Sequence, residues 1–213
     1  MTRATTLLGF LGLVLTLLIV WRRSWPARLR LFVMHALLVA SLALAVGIYA
    51  GQAGLLLVAL VVAVLKGWFI PRALARIAAG TPVRPVAAGT SAGTALLAAG
   101  GLVVVAYVVM APVAGRSTLP TAGAVPLAFA TALLGLFVTV TGRDAFGHIL
   151  GFLTFENGIF SLALLATYGL PSIVEAGVFL DVLVIVLIME GVTVQIRREH
   201  DSIDVDRLRE LRG

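Results

Sequence analysis

Apolar runs close to the ~20 residues that a hydrocarbon core of ~30 Å requires recur along the whole chain. This recurrence limits the fold more than any motif does, because lipid offers backbone N–H and C=O groups no partner except the chain itself. Composition agrees: 61% of the 213 residues are hydrophobic and 12% are charged, against about 45–50% apolar and about 25% charged in soluble chains. The mean hydropathy is +1.10. The longest polar stretches, Trp21 to Arg30, Pro71 to Pro85 and Gln195 to Gly213, are too short to bury cores of their own. An all-α integral membrane protein of about seven transmembrane helices is predicted.

The first segment runs from about Thr5 to Val20. Its charges follow the apolar run, and no small-residue cleavage site precedes Arg22, so it reads as a retained helix and not as a signal peptide. Segments two and three span about Leu31 to Ala50 and Ala53 to Ile70, with Pro71 expected to end the third. Segment four, about Thr90 to Ala111, carries Gly93, Gly100 and Gly101 among alanines, which suits close helix approach. Segments five, six and seven are placed at about Val125 to Thr141, Phe146 to Tyr168, and Ser172 to Val194. This divides the chain into a four-helix extension (1–121), a three-helix region (122–194) and a polar tail (195–213).

The arginines test that count. Arg22, Arg23, Arg28 and Arg30, then Arg72, Arg76 and Arg84, then Arg143, and finally Arg197, Arg198, Arg207, Arg209 and Arg212 all fall on one side of a seven-helix chain. Arg3 and Arg116 fall on the other. By the positive-inside rule the N-terminus is outside and the C-terminus cytoplasmic, as in a multi-pass protein of a bacterial or archaeal cell membrane. The net charge of +6 therefore reads as topology, and nucleic acid is not expected as a partner. With no cysteine, the chain offers no disulfide, iron–sulfur ligand or thiolate zinc site. His35, His148 and His200 lie on separate segments with no metal-ligand spacing, so no cofactor is expected in this chain.

Two carboxylates stand inside otherwise unbroken hydrocarbon, where a charge costs at least ~2.5–3.5 kcal/mol. Glu156 lies ~15 Å into segment six and Asp181 ~13–14 Å into segment seven, at similar depth on antiparallel neighbours. One reading makes them a proton relay. The alternative is a hydrogen-bonded role in packing. Phe152, Phe155 and Phe160 would dry the surroundings of Glu156, and Gly151 and Gly158 give the same helix a face that a neighbouring backbone can approach. Lys66 is the single lysine; its stem could snorkel to the headgroups beside Trp68, or its ammonium could pair with a buried acid. Glu190 near the inner end of segment seven and His148 at the mouth of segment six are accessory candidates, with a solvated interface position the alternative for each. Nothing adjacent to His35 distinguishes it.

The stretch LGFLTFENGIFSLALLATYGLPSIVEAGVFLDVLVIVLIMEGV, with the tail IRREHDSIDVDRLRELR, resembles the hydrogenase-4 component E family. That family comprises membrane subunits of group 4 [NiFe] hydrogenases. Over its final three helices it is similar to the K subunit of respiratory complex I and to the C subunit of Mrp-type antiporters. FEN and LDVLV carry most of the match. The resemblance implies a K-subunit-like region over the last three helices, with Glu156 at the position of the acid of the second K-type helix and Asp181 near that of the third. It implies a non-catalytic subunit whose buried acids help to translocate protons or sodium. The [NiFe] centre and iron–sulfur clusters would sit in partner chains, beside an H-type anchor subunit and antiporter-like subunits. An antiporter-module subunit without redox chemistry and a purely structural scaffold are the alternatives.

Overall fold

Helix ends in this chain are marked by the residues that leave them, and two closures show how. Ala50 is followed by Gly51 in the left-handed region (φ 67°), and the N–H of Gln52 reaches back to the Gly47 carbonyl at 3.0 Å. At the other closure Tyr168 takes positive φ and the N–H of Gly169 reaches the Leu164 carbonyl at 3.1 Å. Both are six-to-one closures that satisfy carbonyls the helix would otherwise strand.

The computed structural model describes residues 2–80, 91–142 and 145–169. Helix α1 is Thr2–Trp21 and α2 is Trp25–Ala50. Helix α3, Ala53–Val64, runs on through a π turn, Leu65–Phe69, into α4, Ile70–Gly80. Helix α5 is Ala92–Arg116, a 3-10 turn at Ala122–Ala124 introduces α6, Val125–Thr141, and α7 is Ala145–Thr167. No strand occurs among the described residues. Six helices there are long and apolar enough to cross a membrane, with α3, the π turn and the start of α4 acting as one span. The expected seventh segment and the polar tail lie outside the described residues.

Three expected boundaries are corrected. Segment two starts earlier, at Trp25, because Pro26 sits at the first helical positions, where its missing N–H costs nothing. Pro71 does not end the third segment. The π turn in front of it has already shifted the bonding, with the Ile70 N–H on the Leu65 carbonyl, and a widened turn takes up both the lost donor and the ring. Pro112 likewise lies inside α5, about one turn from its end, where a single backbone bond is forfeited.

The tightest packing joins α6 and α7. A Cβ added to Gly135 would run into the Phe155 backbone, one on Gly151 into Thr139, and one on Gly158 into Ala132. The α7 glycine face thus does what its spacing predicted. Hydroxyls inside the bundle turn back on their own helices: Thr16, Thr131, Thr139 and Thr154 donate to the carbonyls of Gly12, Leu127, Gly135 and Leu150, so each of these four donors is satisfied within its own helix. Thr121 donates to the Leu165 carbonyl at 2.6 Å, tying the start of α6 to the end of α7.

Successive spans alternate in direction. The Trp25 and Phe146 rings meet with centroids 4.4 Å apart, so α7 begins beside the α1–α2 turn. Gly9 near the start of α1 faces Ala124 and Leu127 at the start of α6. One end of the bundle therefore gathers Arg22, Arg23, Arg28, Arg30, Arg72 and Arg76, with Arg22 over the Trp21 ring and Arg72 over the Trp68 ring. Arg3 and Arg116 mark the opposite end.

Candidate functional site

At mid-span the bundle holds a buried polar cluster built from three elements. His35 lies ten residues into α2, Lys66 lies in the π turn, and Glu156 and Asn157 lie about halfway along α7; at 1.5 Å per residue each is ~15–20 Å from its helix start. Four polar side chains meet there. Lys66 is 1% exposed, His35 1%, Glu156 3% and Asn157 0%.

The Lys66 ammonium is 3.2 Å from Glu156 Oε2 and donates to Asn157 Oδ1 at 2.8 Å. On its far side Asn157 Nδ2 is 3.2 Å from His35 Nδ1. A buried pair of opposite charges requires good geometry and further hydrogen bonds to offset its desolvation. Asn157 contributes one such bond. The cluster is able to hold, release and exchange protons at three ionisable side chains. Among the described residues no group of three His, Cys, Asp or Glu side chains is placed to hold a metal ion.

The structure sorts the residues singled out by sequence. Glu156 and Lys66 come together, so the snorkelling reading of Lys66 gives way to the pairing one: the stem is enclosed by protein and its ammonium points at the acid. His148 stands exposed near the start of α7, two turns from Glu156, and is not brought into the cluster. Asp181 and Glu190 lie outside the described residues. Of the phenylalanines expected to dry Glu156, Phe160 is buried, whereas Phe152 is exposed, so packed neighbouring helices provide most of the cover. His35 was missed. The usable signal was its depth, since an ionisable residue in mid-membrane is a site candidate regardless of its sequence neighbours.

Fold and cluster together define a multi-pass helical membrane protein with an ion pair enclosed in its span. The chain belongs to the same family as the uncharacterized protein Rv0085 of Mycobacterium tuberculosis, with which it is 38% identical over 204 residues, covering 94% of this chain and 93% of the relative. A shorter likeness, 35% identity over 123 residues, links it to hydrogenase-4 component E of Escherichia coli K12 and of Shigella flexneri. That alignment covers 56% of this chain and 55% of those relatives, about half of each. No protein-family model and no solved structure matches the chain.

Proposed function

We propose that this chain is a non-catalytic membrane subunit of a complex I-like, membrane-bound [NiFe] hydrogenase, in which the Lys66–Glu156 pair forms part of a path for protons or sodium coupled to electron transfer. One observation carries the reading: a Lys–Glu pair enclosed at mid-span, 3.2 Å apart, in a chain whose partial relative is a hydrogenase-4 component. A scaffold has no need of such a pair, because apolar residues of similar volume pack a bundle at equal or lower cost. Electron chemistry belongs to partner chains carrying the [NiFe] and iron–sulfur centres, with antiporter-like and H-type subunits as membrane neighbours. The arginine-rich end faces the cytoplasm, by the charge asymmetry between the two ends.

In this reading Glu156 acts through its charge. Protonating its carboxylate neutralises it and frees Lys66 to turn toward another anion, and deprotonation draws the ammonium back. A charge arriving along the membrane arm would be passed on by this exchange, and Asp181 on segment seven is the proposed next acid.

The test is proton pumping by the assembled complex with Glu156→Gln and with Asp181→Asn. Pumping should fall at least tenfold in the first variant while hydrogenase turnover with a soluble electron acceptor persists. Unimpaired pumping in both would remove the relay. Copurification without a [NiFe] subunit would replace the hydrogenase by a non-redox assembly.

A further inference from the structure

Asn157 connects the ion pair to a third ionisable group, and the chemistry of its two amide atoms links their protons. A lysine ammonium has three donors and no acceptor, so the 2.8 Å contact fixes the amide oxygen toward Lys66. The amide nitrogen then faces His35 and can only donate. In the 3.2 Å contact Nδ1 of His35 must therefore accept, which makes the imidazole neutral with its proton on Nε2.

A second arrangement is equally self-consistent. With the amide turned by half a rotation, its oxygen accepts from a protonated His35 Nδ1, and its nitrogen donates to Lys66. That donation needs a lone pair on Nζ, which exists only once the ammonium has given up a proton. With both groups protonated, one N–H would point at another inside the bundle, where an unmade hydrogen bond costs ~1–3 kcal/mol and more when a charge is involved.

We propose that Asn157 makes protonation of Lys66 and of His35 Nδ1 mutually exclusive, so that His35 is a further proton-holding residue of the site and Asn157 is the positioning residue that selects between them. The proposal deepens the relay reading at the same site and does not depend on the hydrogenase assignment. The exchange balances. Lys66 Nζ gives a proton to Glu156 Oε2, leaving a neutral amine and a neutral carboxyl; the amide turns; and His35 Nδ1 takes one proton from water, raising the summed charge of these three side chains by one. The reverse sequence returns the histidine proton to water and the carboxyl proton to the amine. The groups facing His35 are Asn157 from α7, with Glu156 beside it, Lys66 reached through Asn157 from the π turn, and Gly12 from α1, where an added Cβ would lie 3.6 Å from His35 Nε2.

The measurement is nitrogen NMR of the full-length protein in lipid nanodiscs with labelled histidine, using His35→Gln to assign the signal. In the unsubstituted protein at neutral pH, Nδ1 of His35 should be unprotonated and Nε2 protonated. Lys66→Met should raise the Nδ1-protonated fraction at least tenfold, and in an Asn157→Leu background the same change should have an effect at least threefold smaller. Where Lys66→Met does not fold, Lys66→Arg serves, since a guanidinium stays charged and should hold Nδ1 unprotonated across the titration. A protonated Nδ1 at neutral pH in the unsubstituted protein, or at any point of the titration in Lys66→Arg, would overturn the proposal. So would a Lys66→Met effect of equal size with and without Asn157, which is plain charge repulsion. Lost pumping alongside the expected NMR result supports the switch, and absence of a hydrogenase partner leaves it standing.

Discussion

Helices α5 and α7 both carry glycines in mid-span, and the two sets do opposite things. Gly151 and Gly158 of α7 meet the backbone of α6 so closely that no side chain fits, and Gly135 returns the contact from the other side. Gly100 and Gly101 of α5 have nothing within 4 Å of where a Cβ would stand, and Leu97, Val104 and Val108 on that helix are largely exposed. Both helices are apolar and glycine-bearing. Spacing alone does not separate them: residues seven apart return to one face of a helix, yet Gly93 and Gly100 of α5 are also seven apart and meet no neighbouring helix. Small residues permit close approach without causing it, and the polar cluster lies on the α7 side, where approach has occurred.

That contrast breaks first, and with the largest effect, at Gly158. Gly158→Val must push α6 and α7 apart, and the protein should fail to reach its folded form in detergent, as read by size exclusion and thermal unfolding; a folded, monodisperse variant would refute the packing account. Next comes Lys66→Met, which removes the ammonium 3.2 Å from the buried Glu156 carboxylate and should cost about 3–5 kcal/mol. Adding Glu156→Gln should recover part of that loss, so the double variant should unfold nearer the unsubstituted protein than the single one. Additive losses would mean that the two side chains do not interact. The smallest effect is expected at Gly100→Ala, which fills open space and trades glycine for a better helix former, a gain of about 0.5–1 kcal/mol. Destabilisation there by more than that amount would reveal a partner surface on α5.

Much of the architecture was legible because it follows from local rules. Helix α6 begins and ends where the apolar run does, at Val125 and Thr141, and the α7 glycines packed as their heptad spacing implied. The misread residues were those whose fate depends on rotation and on distant chain. Lys66 and Asn157 are 91 positions apart, and nothing in VLKGWFIP states which way the lysine turns. The rule that proline ends a helix failed at Pro71 because a π turn absorbed it, and at Pro112 because the helix was about to finish. Glu156 was found by depth. His35, placed near the start of a segment expected to begin at about Leu31, was overlooked, and the earlier start at Trp25 is what carries it to mid-span.

The π turn at Leu65–Phe69 amounts to one surplus residue wound into a continuous span, and its use shows in the phase of the inward-facing positions. Along α3 and α4 a line of buried residues runs through Leu55, Ala59, Val62, Lys66, Ile70 and Leu74, with Pro71 buried beside it. From Val62 onward each step along that line is four, a stride that overshoots a helix of 3.6 residues per turn and would carry the line steadily around its axis. The extra residue resets the count. Two angular demands, an ammonium turned toward Glu156 and Asn157 and an arginine lying over Trp68 at the basic end, are thereby met on one span, and the surplus residue acts as the gear between them.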